Sequence, residues 1–379
     1  MNFRSYLQPI DLPTTDETLL GGHVQAYIDE SSFPHPEPGS VVLIGACETA
    51  DRLCPADAVR NMLYRLVPTT EPVKLCDWGN LIPGRQVADT VYALAEMVAS
   101  CVEAECTVVL LGGSQELAYA LYEAYARLAR VVNIANIDSR FDVAAEADIS
   151  PRSWLYHVVL AQPNYLFNFT NLGHQSYFTG ATGRELMEQL QFDAVRLGQM
   201  QQLGMQTVEP YIRWSDIVSV DMCAVRQSDA PGVANPSPHG LYGEQLCQLM
   251  LYAGLSEKNS CLGLFGLEVE RDRDDQTAHL VAQALWHYLE GFAGRVGELP
   301  WRDKQQFRHF LVPLADGRQE IHFYKSRRTD RWWFEVPCVD DSDRYNRHRL
   351  IPCSYDDYQQ ALHNELPDRW WTIYNRVNH

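Results

Sequence analysis

The run Val131-Val-Asn-Ile-Ala-Asn-Ile137 stops abruptly on three charges at alternate positions, Asp138, Arg140 and Asp142. A short, largely apolar run without alternation fits a strand buried on both faces of a parallel sheet. Charges just past its carboxyl end stand where open α/β sheets place their ligands. Two more runs end in the same way. Thr107-Val-Val-Leu-Leu111 passes into Gly112-Gly-Ser-Gln115, and Ile217-Val-Ser-Val220 passes into Asp221 and Cys223. A chain built on such strands needs helices on both sides of one sheet.

The remaining patterns supply them. Ser40-Val-Val-Leu-Ile-Gly45 predicts a first strand, and Pro55 opens a helix at a position where its missing N–H costs nothing. Helical spacing predicts further helices over 86–104, 116–130, 153–160, 184–203, 241–253 and 276–292. Strands are expected at 72–77, 165–169 and 261–267 as well. The expected fold is a doubly wound, mostly parallel α/β sheet over residues 40–297, preceded by an N-terminal arm at 1–39. After Gly297 the texture changes. Gln319-Glu-Ile-His-Phe-Tyr-Lys325 and Arg331-Trp-Trp-Phe-Glu-Val336 predict two antiparallel strands joined by a basic turn. Residues 298–379, with the aromatic tail Arg369-Trp-Trp-Thr-Ile-Tyr374, are read as a C-terminal extension packed on the main domain.

A formal net charge of −18 repels phosphates and anionic membranes, so nucleic acid and membrane surfaces are not expected partners. No run approaches the roughly 18–20 apolar residues of a membrane span, and no secretory signal is expected at the start. Ten cysteines show no Cys-x-x-Cys spacing, which reads as reduced thiols in a cytoplasm.

Taken in order, these motifs resemble the arginase/agmatinase/formimidoylglutamase (ureohydrolase) family. Cys54-Pro-Ala-Asp-Ala-Val-Arg60 is similar to the family's Gly-Pro-x-Ala-Ile-Arg helix start. Gly112-Gly-Ser-Gln115 stands for Gly-Gly-Asp-His, and Asp138-Ser-Arg-Phe-Asp142 for Asp-Ala-His-x-Asp. Ser219-Val-Asp-Met-Cys223 stands for Ser-x-Asp-x-Asp. The loop 230–241, with Asn235, resembles the family's substrate-holding loop, and Glu268 matches its guanidinium-contacting carboxylate.

The resemblance implies two manganese ions that activate a water, on ligands matching Gln115, Asp138, Arg140, Asp142, Asp221 and Cys223. Three carboxylates survive, both histidines are gone, and one aspartate is Cys223. A guanidinium has no lone pair to offer a metal. It is therefore expected to replace the second ion by neutralising Asp138 and Asp221. The family's catalytic histidine is also missing, which leaves His174 and Cys223 as candidate working groups. Cys223 reads more readily as a small buried hydrophobe than as a thiolate, and Asp138 and Asp142 have a second, lesser reading as cap and salt-bridge groups.

Three functions stay open on this reading. The expected one is a binding or assembly protein that has lost two-manganese hydrolysis and needs no cofactor. The alternative is an active hydrolase of a linear amidine (formiminoglutamate, agmatine or arginine) with a single weakened manganese site. The third is another activity built on Cys223 or Asp221. Expected partners are a small cationic ligand at Glu268, further copies of the chain, and a protein that meets the aromatic extension.

Overall fold

The computed structural model describes residues 3–314, 320–338 and 345–378. The arm contributes β1 (Leu7–Gln8) and β2 (Gln25–Ala26). The main domain follows with β3 (Val41–Ala46), β4 (Leu75–Leu81), β5 (Thr107–Gly112), β6 (Val132–Ile137), β7 (Leu166–His174), β8 (Asp193–Arg196), β9 (Ile217–Asp221) and β10 (Cys261–Phe265). They form one ten-stranded sheet in the order β1-β4-β3-β5-β10-β9-β6-β7-β8, with β2 also on β4. From β4 to β8 every neighbouring pair is parallel, and β1 runs antiparallel on the edge.

Alternate residues of each strand feed two apolar layers. Val41 and Leu43 face one side, with α1 (Ala56–Leu63), while Val42 and Ile44 face the other, with α2 (Val87–Glu103) and α3 (Ala118–Arg127). Trp154 and Leu155 of α4 (Trp154–Leu160) join the second layer. Beyond β7 come α5 (Ala181–Gln189), α6 (Leu197–Leu203) and α7 (Glu209–Arg213). The pair α8 (Gly243–Leu255) and α9 (Gln276–Ala293) completes the first layer through Leu246, Leu249, Val281 and Leu285. This is the doubly wound sheet expected from the strand and helix alternation. Among the described residues no helix is long and apolar enough to cross a membrane.

One expected element is corrected. Residues 184–203 are two helices separated by β8, not one. Gln191 turns the chain at a φ of 53°, and residues 193–196 then pair with β7 as the last edge strand. Edge pairing outweighs a helical periodicity that continues on either side of it.

The extension builds its own antiparallel sheet from β11 (Phe307–Pro313), β12 (Glu320–Ser326), β13 (Trp332–Glu335) and β14 (Leu350–Cys353). Strands β12 and β13 pair across the basic turn; Gln319, expected at the start of β12, lies outside the described residues. With α10 (Tyr355–Leu362) and α11 (Asp368–Asn378) this sheet encloses a core that also takes in Phe167 and Trp214 of the main domain. Docking occurs at the amino ends of the parallel strands. There Arg347 meets Asp216 at 2.7 Å, Lys258 meets the same carboxylate at 3.5 Å, and His348 Nδ1 meets Lys258 Nζ at 3.2 Å. Arg376 caps the carbonyls of Phe167, Leu190 and Gln191.

Candidate functional site

Strand order decides what meets at the opposite, carboxyl end. Because β5, β10, β9 and β6 are consecutive neighbours, residues far apart in the chain converge just beyond them. Gln115, Asp138 and Asp142 are all buried there, and Asp221 is half-buried. With its amide nitrogen toward the acids, Gln115 donates to Asp142 Oδ2 at 2.9 Å and Asp138 Oδ2 at 3.2 Å, and its carbonyl oxygen then stands 3.0 Å from Asn136 Oδ1, so Asn136 has to turn its otherwise unpartnered NH2 group to that oxygen. Turned the other way, three oxygens would face one another, which requires a cation or a proton between them. Trp154 Nε1 donates to Asp142 Oδ2 at 3.2 Å. The Arg140 and Cys223 backbone N–H groups donate to Asp138 Oδ1 at 2.9 Å and Asp221 Oδ1 at 2.8 Å. Gly266, at a φ of 86°, lets the backbone lie on Asp221: a Cβ there would stand 2.4 Å from Oδ1.

Burial dominates the electrostatics. It holds the Asp138 carboxyl well above the usual range, with the charge of Asp142 adding to it. Burial likewise pushes Asp142 up to about 6 and Asp221 up to about 7. Burial and the charge of Asp142 thus act together on Asp138, and both favour a protonated carboxyl there over two bare charges.

The expected role of Arg140 is not what the structure shows. Its guanidinium lies over the Phe178 ring at 4.5 Å and makes no ion pair among the described residues. Its charge acts on all three aspartates only as the last of several causes. Aromatic stacking at the mouth has drawn the side chain away from the acids. Among the described residues the expected pairing of Arg140 with Asp138 and Asp221 is therefore absent, and the Gln115 amide and backbone N–H groups contact the acids instead.

The other candidates separate. His174 is buried against Phe141, with ring centroids 4.9 Å apart, and burial lowers it to about 4. None of the three aspartates is among the groups acting on it, so the structure does not bring it to the cluster. Cys223 does adjoin Asp221, but burial and that carboxylate both push its thiol up, which disfavours the thiolate a nucleophile needs. The exposed Asn235 reaches the same place through its backbone N–H, directed at the Cys223 sulfur. Glu268 meets Arg52 at 3.7 Å and Arg271 at 2.5 Å. Sequence reading missed two neighbours, Glu48 and Glu116, both buried. They too follow the ends of sheet strands, a signal available in the sequence but indistinguishable there from surface charge.

The manganese implied by the resemblance was tested against this donor set. Asp138 Oδ1 and Oδ2, Asp142 Oδ2 and Asp221 Oδ1 already accept hydrogen bonds from the chain. No imidazole joins them, and among the described residues no three His, Cys, Asp or Glu side chains are arranged to hold a metal ion. These residues do not fit a two-manganese centre, and no step is derived through one.

Known proteins agree on the ancestry of this arrangement. A formimidoylglutamase of Staphylococcus aureus is 24% identical over 243 residues, covering 62% of this chain and 78% of its own. Among solved structures, Trypanosoma cruzi formiminoglutamase with Mn2+ superposes with a TM-score of 0.63 at 18% identity, over 70% of this chain and 97% of that one. Bacillus subtilis formimidoylglutamase gives 0.62 at 16% identity, over 69% and 90%. Proclavaminate amidino hydrolase of Streptomyces clavuligerus gives 0.56 at 17%, over 69% and 94%. At these identities the solved structures speak for the fold alone. The arginase family model matches residues 48–290, the span that holds every residue of the site, and the chain belongs to the arginase family.

Proposed function

We propose that this arginase-family protein no longer runs two-manganese hydrolysis and serves as a binding or assembly protein. One observation carries the reading: four oxygens of the surviving aspartates, Asp138 Oδ1 and Oδ2, Asp142 Oδ2 and Asp221 Oδ1, accept hydrogen bonds from Gln115, Trp154 and backbone N–H groups. A metal would have to displace those donors without an imidazole to help hold it. In a binding role the extension offers Tyr355, Leu362 and Trp371, which are exposed, as contact surface for a protein partner. Self-association of the main domain is part of the same proposal.

The test loads the purified chain with manganese and dialyses it. Metal content is then measured, along with formamide or urea release from formiminoglutamate, arginine and agmatine. We expect no stoichiometric manganese and no turnover. Two ions per chain with product release would end the proposal. One ion with turnover would instead establish a reduced hydrolase, with the Gln115 carbonyl turned inward.

A further inference from the structure

We propose that His309 and His322 form a two-imidazole site for one transition ion of the copper(II) or nickel(II) class, on the outer face of the extension's sheet. The site follows from strand register. Val312, Ile321 and Phe323 of β11 and β12 face the core of the extension. The residues alternating with them face the other way. His309 pairs with Tyr324 and Leu311 pairs with His322, so the two histidines are diagonal neighbours on that outer face. His309 is exposed and His322 half-buried, which leaves the pair open to an ion from solvent.

Three observations point to an ion. His309 Nε2 and His322 Nδ1 stand 3.0 Å apart. Ligands at right angles on one ion, with bonds of about 2.0–2.1 Å, are about 2.8–3.0 Å apart, whereas tetrahedral ligands are about 3.3–3.4 Å apart. The spacing thus fits a tetragonal ion, copper(II) or nickel(II), better than zinc. The His309 ring also lies against both His322 and Tyr324, with centroids 5.0 Å away in each case and planes 29° and 23° apart. These contacts order the rings before an ion arrives. Burial and the facing His322 ring, finally, both hold the His309 imidazole below its ordinary value, and the neutral ring is the form that ligates metals.

Without an ion the same contact is one N–H···N bond, since only one of the two facing nitrogens can carry a proton there. A turn about each Cβ–Cγ bond, a soft torsion for imidazole, brings both lone pairs onto one ion without moving the strands. Glu335, the cross-strand partner of His322, is held by Lys304 at 2.7 Å and 2.8 Å and by the Tyr324 hydroxyl at 2.8 Å. It supplies negative charge near the pair rather than a ligand. Among the described residues no third His, Cys, Asp or Glu completes the set, so the other coordination positions stay open.

The pair lies outside residues 48–290, the span that the arginase family model matches. Manganese uptake reads the aspartates and copper(II) uptake reads the extension, so the two proposals fail separately. The experiment strips the full chain with a chelator and titrates it with copper(II), followed by calorimetry and electron paramagnetic resonance. We expect one equivalent to bind with nitrogen coupling from imidazole. His309→Ala and His322→Ala should each weaken that binding at least about tenfold. His279→Ala, at an exposed histidine of α9, should leave it unchanged. Nickel(II) should compete for the site and manganese(II) should not. The inference is overturned if no equivalent of copper(II) binds, or if His309→Ala binds as tightly as the parent. It is overturned equally if His279→Ala costs as much as His309→Ala, or if manganese(II) competes. Melting temperature without metal checks the fold. Should His322→Ala unfold the extension, His309→Ala alone decides, since its side chain lies at the surface.

Discussion

The two ends of the parallel sheet bury carboxylates in opposite ways. At the amino end, fully buried Asp216 faces two cations, Arg347 and Lys258, and accepts the Asn133 N–H at 2.9 Å. At the carboxyl end, Asp138, Asp142 and Asp221 face amides, an indole and each other, while the guanidinium of Arg140 lies on Phe178. The first arrangement is closed: charges are matched, and the extension is locked to the main domain through them. The second gathers acids with no counter-ion in contact among the described residues. Stability does not explain such a cluster, which lies within the span that the arginase family model matches.

The comparison breaks most sharply at Asp216. Asp216→Ala leaves the buried Lys258 and the half-buried Arg347 without their counter-charge. Removing one partner of a buried pair typically costs ~3–5 kcal/mol, so urea denaturation should show a loss of that order. A near-neutral result would mean that the amino-end cluster is not the lock described here.

The next effect is a pH dependence. Burial lowers Lys258 to about 7 and holds His348 well below its ordinary value. His348 Nε2 faces the Val131 carbonyl, which can only accept, so that nitrogen bears a proton, while Nδ1 lies 3.2 Å from both Lys258 Nζ and Asn133 Oδ1. Between pH 7 and the ordinary lysine range the unfolded chain binds the Lys258 proton and the folded chain does not. Stability therefore rises with pH across that window, by on the order of a few kcal/mol. Below pH 6.5 His348 acts in the same direction, because its proton is taken up on unfolding. Melting curves from pH 6 to pH 10 check the slope, and Lys258→Met should flatten its upper part.

Arg140→Ala gives the smallest effect and sharpens the contrast. A guanidinium stacked on one ring and paired with no acid contributes about 0.5–1 kcal/mol. Its loss should barely move the melting temperature. A loss as large as that of Asp216→Ala would mean that Arg140 neutralises the aspartates after all.

Much of the main domain was legible because burial writes itself into sequence. Residues 132–137, 217–221 and 261–265 are apolar enough to mark strands, and the 3.6-residue spacing of Val91, Leu94 and Val98 marks α2. Strand β8 was hidden because its four residues alternate only between half-buried and exposed, and because they lie between two helical patterns. The site was legible as a set of positions. Gln115, Asp138, Asp142 and Asp221 do meet, since motif order along a doubly wound chain constrains which strand ends can be neighbours.

What the sequence determined by itself was composition at those positions: two imidazoles absent, one guanidinium present, three carboxylates kept. What only the tertiary structure decided was where each side chain goes. Arg140 follows Phe178, a residue on another loop. Arg52 joins glutamates from the ends of β3 and β10. The physical reason is that apolar periodicity is a local record of burial, whereas a long charged side chain has several low-energy directions. Its choice among them depends on partners that the sheet order, and not the neighbouring sequence, brings within reach.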